Sequence, residues 1–128
     1  MADRLHFSLV SPERELFSGE AESVLVPGAE GLFQVMVGSA PIMSTLSPGF
    51  VVIDEGSSTK RIYVRGGFAD VTAAGLTILA EVAVPESELT GDRLAAEKAT
   101  IAAQVADGGL SPEDRINADR AAALLRTV

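Results

Sequence analysis

Residues 7–49 carry the pattern that decides the fold: FSLVSPERELFSGEAESVLVPGAEGLFQVMVGSAPIMSTLSPG. Short apolar runs alternate there with turns rich in glycine and proline, which is typical of a β-sandwich or barrel. Three turns stand out: PGAEG at residues 27–31, VGSAP at residues 37–41 and SPG at residues 47–49. The stretch contains no plausible catalytic constellation, so we interpret its turns as a docking surface rather than an active site.

Composition limits the class of protein. The chain has 128 residues, 47% of them hydrophobic, which suffices for one packed domain with at most an appendage. Its formal net charge of -8 argues against binding to nucleic acid or to an anionic membrane surface, so we expect protein partners. The chain has no cysteine and one histidine, which excludes disulfides and thiolate metal sites, argues against a zinc site and leaves the compartment open.

The sequence predicts neither a signal peptide nor a membrane span. The N-terminus MADRLHF carries charges at Asp3 and Arg4 and lacks a long apolar core. A spanning helix needs roughly 18 consecutive apolar residues. The best candidate, VTAAGLTILAEVAV at residues 71–84, is interrupted at Gly75 and Glu81. We therefore expect no direct membrane insertion, although the chain can lie at the periphery of a membrane assembly.

A change in composition near Pro85 divides the chain into two predicted domains. Residues 1–85 are predicted to form an all-β sandwich of about 8–10 strands, and residues 86–128 an antiparallel α-helical hairpin. Strands are predicted at residues 5–10, 21–26, 32–37, 42–46, 50–54, 60–65, 68–72 and 76–82. Residues 56–58 and 73–75 are predicted hairpin tips, residues 11–15 (SPERE) a solvated turn, and Gly66-Gly67 a bulge or sharp bend where a strand switches sheets.

The first helix is predicted from Thr90 to about residue 107. Its N-terminus is set by the Thr90 hydroxyl, which can cap the first turn. Apolar residues then recur at helical spacing, at Leu94, Ile101 and Val105. Two glycines, at residues 108–109, supply the stop signal.

A second helix is predicted from Pro112 to the C-terminus. The run SPED at residues 111–114 combines a capping hydroxyl, a proline at the first helical position and two acids. The short connection requires the two helices to pack antiparallel. Because both helices are rich in alanine, their interface is thin, and we expect the hairpin to be the less stable part of the molecule.

Three residue patterns that suggest chemistry have simpler explanations. Asp54 and Glu55 adjoin a predicted hairpin tip where no cleft is evident, so they are not an acid/base pair. His6 lies opposite the apolar face of the first strand and is expected to be exposed. Gly66-Gly67 lacks the pattern of a phosphate-binding loop. The sequence therefore predicts no catalytic residue and no metal ligand.

Three phrases, in their order, resemble the epsilon subunit of F-type ATP synthases. They are LVSPERELFSGEAESVLVPGAEG at residues 9–31, GSAPIMSTLSPG at residues 38–49 and VRGGFADVTAAGLTILAEVAV at residues 64–84. With the alanine-rich hairpin, the resemblance covers essentially the whole chain. It implies a non-catalytic rotor part of the central stalk, peripheral to the cytoplasmic face of the bacterial inner membrane. It also implies the gamma subunit and the ring of c subunits as partners, and the beta subunits of the catalytic head as further candidates.

The resemblance implies that two of the turns face the c ring. The residues concerned are Gly28, Ala29, Glu30, Gly31, Leu32, Phe33, Ser39, Ala40 and Pro41. Many relatives have a histidine where this chain has Ser39, so a titratable contact is missing there. Considered without the resemblance, these residues are explained equally well as tight turns in which glycine supplies the positive φ.

The helical hairpin is where the resemblance implies regulation. In many bacterial relatives the first helix carries an I/L-D-x-x-R-A motif that helps to bind ATP. Leu89 and Arg93 match this motif, but Thr90 replaces the acid and Leu94 the alanine. Capping explains Thr90 better than a nucleotide contact does, so no cofactor is predicted and ATP binding is doubtful. The second helix is a short arm with few cations, and we expect inhibition of ATP hydrolysis to be weak or absent.

Two other functional classes are poorly supported. A free-standing sandwich that binds glycans or other proteins usually displays aromatic side chains, but this chain has no tryptophan and one tyrosine. A small-ligand enzyme would need an acid/base or nucleophile constellation that the residues do not supply.

Overall fold

The computed structural model describes residues 4–126 as eight strands followed by two helices. The strands are β1 Leu5–Val10, β2 Glu15–Ala21, β3 Ser23–Gly28, β4 Gly31–Val35, β5 Ile42–Thr45, β6 Gly49–Asp54, β7 Thr59–Thr72 and β8 Gly75–Pro85. The helices are α1 Gly91–Asp107 and α2 Pro112–Leu125, and a 3-10 turn at Glu86–Glu88 links β8 to α1. The predicted all-β sandwich followed by a helical hairpin is confirmed.

The two longest strands, β7 and β8, run through both halves of the sandwich. The strand order is β2-β1-β8-β7-β6-β3-β4, and β5 pairs with β7 beside this path. Residues 59–64 of β7 pair with β6, whereas residues 68–71 pair with β5. Strand β1 joins β8 in the only parallel pairing of the described sheet. One half therefore ends at the edge strand β4, and the other half has β5 and β2 at its edges.

Gly66 and Gly67 lie where β7 changes partners. Their φ angles are +79° and +102°, and a Cβ on Gly67 would overlap the carbonyl oxygen of Leu79. The register with β8 continues unbroken from Arg65 opposite Val82 to Gly67 opposite Ala80. The glycines therefore redirect the strand without a bulge. The prediction of separate strands at residues 60–65 and 68–72 was wrong, because left-handed glycines let one strand serve both halves.

Strand β2 was not predicted. The turn after β1 is closed by a hydrogen bond from the Ser11 amide to the Arg14 carbonyl at 2.9 Å, and β2 starts at the next residue. Its Phe17 ring lies 5.3 Å from that of Phe7, centroid to centroid. The rest of β2 is mostly polar and exposed because the strand lies at an edge of the sheet, where one flank faces solvent. That polarity concealed the strand in the sequence.

The molecule has two apolar clusters. The larger one fills the space between the two halves of the sandwich and includes Phe7, Leu9, Ile53 and Ile78. The second joins the sandwich to the hairpin, and its buried members are Tyr63, Val84, Leu89, Ile101, Ala118, Ala121 and Leu125. Because sheet and helix residues share the second cluster, the hairpin is docked on the sandwich.

The helix ends agree with the sequence signals except at Thr90. The Ser111 hydroxyl accepts a hydrogen bond from the Asp114 amide at 3.1 Å, and Gly108 ends α1 with a left-handed φ of +70°. Thr90 occupies the N-cap of α1, but its side chain accepts no capping hydrogen bond. The prediction that its hydroxyl caps the helix was wrong. Its extended backbone, with φ -141°, is followed by Gly91 at φ +55°, and the chain enters the helix without using the hydroxyl.

Candidate docking surface

The most exposed apolar side chains are concentrated in one segment of the chain. Among the described residues, seven large hydrophobic side chains are exposed, and five of them fall within residues 32–43. We call these five the apolar edge: Leu32, Met36, Val37, Ile42 and Met43. Leu32 and Met43 are the most exposed, at 67% and 65%. Exposed apolar side chains gathered in one short segment indicate a surface that another protein covers.

Charge is nearly absent from the segment of the chain that carries the apolar edge. Residues 28–45 contain one charged side chain, Glu30, although 22% of the whole chain is charged. Depletion of charged residues is the compositional mark of the centre of a protein interface. The apolar edge therefore combines the two features expected of a docking surface, exposed apolar area and few charges that would need partners.

The first predicted turn joins β3 to β4 at the end of the apolar edge. Ala29, Glu30, Gly31 and Leu32 are exposed, as a contact requires. Gly28 is required for a structural reason instead, because a Cβ at this position would overlap the ring of Phe33. That ring is half-buried and packs on the larger cluster. Gly28 and Phe33 therefore shape the turn, and the other four residues form its surface.

The second predicted turn closes on itself. The Ser39 hydroxyl accepts a hydrogen bond from the Met36 amide at 2.9 Å, and the Ser39 amide donates one to the Met36 carbonyl at 3.0 Å. Gly38 has φ +85° with open space around it, and Ala40 and Pro41 are exposed. Ser39 thus holds the turn in shape while the residues on either side face outward.

The two turns are not brought together into one loop cluster. Strand β4, Gly31–Val35, separates them, which at about 3.3 Å per residue places them roughly 15 Å apart. Between them lie β4 and the start of β5, with the apolar edge. Sequence reasoning missed Met36, Val37, Ile42 and Met43. The available signal was the near absence of charge over residues 28–45.

A second functional feature, also missed, is a buried polar contact between β7 and α1. The Glu97 carboxylate accepts hydrogen bonds from the Tyr63 hydroxyl at 2.6 Å and from Arg65 Nε and Nη2 at 2.6 and 2.9 Å. Tyr63 is fully buried, and the side chains of Arg65 and Glu97 are 16% and 7% exposed. Position 97 lies on the same face of α1 as Leu94 and Ile101. A carboxylate on this apolar face was the sequence signal that could have revealed the contact.

The three groups shift one another's pKa. Burial raises the pKa of the Glu97 carboxyl, but the hydrogen bonds from Arg65 and Tyr63 outweigh it and leave that pKa below its ordinary value. Burial, with the hydrogen bond to Glu97, raises the pKa of the Tyr63 hydroxyl. The hydrogen bond to Glu97 raises the pKa of Arg65. At neutral pH the contact is therefore an ion pair with a neutral tyrosine.

The residues of the partial ATP motif do not converge. Leu89 is fully buried in the second apolar cluster, whereas Thr90 and Arg93 are exposed at the start of α1. Leu89 is therefore in a different environment from Thr90 and Arg93. Within residues 4–126, no group of His, Asp or Glu side chains is placed to hold a metal ion. Over the same range, neither helix has the length and apolarity that crossing a membrane requires.

Comparison with known proteins identifies the family. The family model described as "ATP synthase, Delta/Epsilon chain, beta-sandwich domain" matches residues 4–86. The ATP synthase epsilon chain of Parvibaculum lavamentivorans is 53% identical over 108 residues, covering 84% of this chain and 82% of that relative. The chain belongs to the ATP synthase epsilon chain family. The epsilon chain of Maricaulis maris is 48% identical over 126 residues, covering 98% of this chain and 91% of the relative.

Solved structures share this fold over nearly the whole chain. A chain of the Euglena gracilis mitochondrial ATP synthase matches with a TM-score of 0.69 and 21% identity, over 96% of this chain and 78% of that one. A chain from the central stalk and c ring of the Tetrahymena thermophila mitochondrial enzyme matches with a TM-score of 0.67 and 16% identity, over 98% of this chain and 96% of that one. Identities this low establish the fold alone.

Proposed function

We propose that this chain is a non-catalytic rotor subunit of an F-type ATP synthase, which couples rotation of the c ring through gamma to ATP synthesis. Family membership supports this role, and one structural neighbour is described as central stalk and c ring. The observation that carries the proposal is the apolar edge, which gives this acidic chain a charge-poor surface for a protein partner. The chain would lie peripherally, at the cytoplasmic face of the bacterial inner membrane.

The apolar edge is the proposed contact with the c ring. Strand β4 is the terminal strand of its half of the sheet, so the backbone groups on its outer flank can also meet a partner. Leu32 supplies apolar area at one end, and Met36 and Val37 supply it at the other. These side chains supply apolar area that the exposed turns by themselves do not.

The gamma subunit needs a second surface. The outer face of the β5–β7–β8–β1 half presents a row of cross-strand neighbours formed by Thr45, Phe68, Leu79 and Val10. Leu79 is 42% exposed in the middle of this row. We assign gamma to this face, because its apolar centre lies on central strands rather than on the edge strand β4. Met43, two residues from Thr45 on β5, projects from the same face.

Regulation of ATP hydrolysis by the hairpin is proposed to be weak. Of the cations on α2, Arg115 pairs with Asp119 at 3.3 Å, and Arg120 donates a hydrogen bond to the Ser47 hydroxyl at 3.0 Å. Binding to acidic segments of the beta subunits would need these arginines, and both already have partners within the chain. Glu113 and Asp114 offset the charge further.

Co-purification from an assembled ATP synthase tests the proposed function. An affinity-tagged chain is expected to retain gamma and the c ring, whereas Leu79→Glu should reduce gamma recovery and Leu32→Asp should reduce c-ring recovery. Ile116→Asp is the matched control, because Ile116 is an exposed apolar residue on α2, outside both surfaces. A tagged chain that recovers neither partner, or that binds immobilised glycans as a monomer, would contradict the rotor role.

A further inference from the structure

Both internal methionines of the chain lie on its surface. Met36 is 49% and Met43 is 65% exposed, and the third methionine, Met1, lies outside the described residues. Among the described residues, neither apolar cluster contains a methionine. Because the chain has no cysteine, no thiol of its own competes with these two thioethers for an oxidant.

The two methionines belong to different proposed docking surfaces. Met36 lies beside the exposed Val37, in the part of the apolar edge that is assigned to the c ring. Met43 lies opposite Asp70 of β7, on the face whose apolar centre is Leu79 and which is assigned to gamma. Each proposed contact therefore includes one exposed methionine. Methionine is common at such surfaces because its flexible apolar side chain adapts to a partner.

The backbone at each methionine is held by contacts that do not involve the side chain. The Met36 amide donates a hydrogen bond to the Ser39 hydroxyl at 2.9 Å, and the Met36 carbonyl accepts one from the Ser39 amide at 3.0 Å. Met43 is in register with Asp70 in the antiparallel pairing of β5 with β7. A change at either sulfur atom therefore alters the surface without opening the turn or removing a contact of the core.

Oxidation reverses the character of a methionine side chain. The thioether sulfur attacks one oxygen of hydrogen peroxide, the O–O bond breaks and an S–O bond forms. The sulfur loses two electrons, and the other oxygen leaves as water with both protons. The product is a polar sulfoxide in place of an apolar thioether. A polar group that is buried at an interface without a hydrogen-bond donor opposes binding.

We propose that Met36 and Met43 are oxidation sites at which peroxide weakens the docking of this chain. A sulfoxide at Met36 weakens the contact with the c ring, and a sulfoxide at Met43 weakens the contact with gamma. Both sites are accessible in the unassembled chain and covered once the two partners have docked, so oxidation acts on chains that await assembly. The identity of the two partners rests on the proposed rotor role.

The test treats the purified full-length chain with hydrogen peroxide and then measures its binding to purified gamma and to purified c ring separately. Peptide mapping by mass spectrometry distinguishes oxidation of Met36 and Met43 from that of Met1. We expect both internal methionines to be oxidised with no change in the free energy of unfolding in urea. The dissociation constant for each partner should rise on the order of 10-fold.

Reduction should reverse the effect. Methionine sulfoxide reductases of both stereospecificities return the sulfoxide to the thioether and water, while a dithiol is oxidised to its disulfide. Both affinities should then return to their values before treatment.

Met36→Leu and Met43→Leu are the matched variants. Leucine is close to methionine in volume and apolarity but has no sulfur to oxidise. Each variant is compared with itself before and after peroxide, so that any change in its untreated affinity cancels. Met36→Leu should lose the peroxide effect on c-ring binding and keep the effect on gamma binding, and Met43→Leu should show the reverse.

Three results would overturn the proposal and leave the rotor role intact. The first is resistance of Met36 and Met43 to peroxide in the free chain. The second is unchanged affinity for both partners once the two methionines are oxidised. The third is an undiminished peroxide effect in a chain that carries both leucine substitutions, because the sensitive group would then lie elsewhere. An untreated chain that binds neither gamma nor the c ring would contradict the rotor role itself, and this proposal with it.

Discussion

Arg65 and Glu97 form the one ion pair, among residues 4–126, in which both side chains are mostly buried. Two hydrogen bonds run from the guanidinium to the two carboxylate oxygens and join β7 to α1 across 32 residues of sequence. The pair lies where the sandwich ends and the hairpin begins. It therefore links the sandwich, with its proposed docking surfaces, to the helical hairpin.

Removing either hydrogen-bond donor to Glu97 should lower the free energy of unfolding, and the loss should be larger for Arg65 than for Tyr63. Tyr63→Phe removes one hydrogen bond to a charged group and should cost about 1–2 kcal/mol of unfolding free energy. Arg65→Met leaves the buried carboxylate without its cation and should cost about 3 kcal/mol or more. Urea unfolding of the full chain measures both. Arg115→Met, at an exposed pair, is the control and should change stability by less than about 1 kcal/mol. Equal losses at Arg65 and Arg115 would show that burial adds nothing.

Acid should release the hairpin, and neutral pH should not. The folded-state pKa of Glu97 lies below its ordinary value of 4.5, so its contribution is complete above that value and is lost as pH falls through the lower, folded-state pKa. Tyr63 is the only tyrosine and the chain has no tryptophan, so tyrosine fluorescence and near-UV circular dichroism report this contact directly.

The tyrosine signal should stay constant between about pH 6 and pH 8 and change only below about pH 4.5. The groups that set this behaviour are Tyr63 and Arg65 on β7 and Arg93 on α1. Glu97→Gln should abolish the acid transition, because the amide does not titrate. A transition centred near neutral pH in the parent chain would contradict the assignment.

Gly67 should be the least replaceable glycine of the sandwich. Its φ of +102° disfavours any side chain, and a Cβ would overlap the Leu79 carbonyl, so Gly67→Ala should cost well over 2 kcal/mol. Gly38→Ala is the matched comparison, because its φ of +85° is also left-handed but its surroundings are open. That change should cost about 1–2 kcal/mol. Equal stability of the two variants in urea would show that the close approach at Gly67 is unimportant.

Local signals predicted most of the fold. Short apolar runs between turn residues located seven of the eight strands. Gly108 located the end of the first helix, and the SPED run at residues 111–114 located the start of the second. The exceptions depend on neighbours distant in sequence. Strand β2 exists because β1 pairs with it, and β7 is continuous because β5 and β6 pair with its two halves. No local pattern contains such information.

The candidate sites were less predictable than the fold. The turns around Glu30 and Ser39 could be located from their glycines, but the exposure of the apolar side chains between them follows from β4 and β5 being edge strands. The Glu97 contact joins residues 34 positions apart. In the sequence, Glu97 is one acid in an alanine-rich helix, and only its place on the Leu94–Ile101 stripe distinguishes it.

Removal of the helices should have little effect on ATP hydrolysis by the assembled enzyme. The suitable variant ends after Thr90, because it keeps the buried Leu89 and the linker ion pairs. Glu113, Asp114 and Asp119 offset the positive charge of the arginines on α2, so the hydrolysis rate should stay close to that of the full-length enzyme. A several-fold rise would show that the hairpin is an effective inhibitor.

The central claim is that the apolar edge couples the c ring to the rotor, and proton-driven ATP synthesis in reconstituted vesicles tests it most directly. The key variant combines Leu32→Asp with Met36→Asp, Glu30→Lys is a milder change at the turn, and Ile116→Asp is the control. Two buried charges at the interface should abolish most synthesis while the catalytic head still hydrolyses ATP, because unpaired charges are costly to desolvate. Glu30→Lys should reduce synthesis partly, and Ile116→Asp should leave it intact. Synthesis at the parent rate in the double variant, with the subunit still bound, would contradict the account.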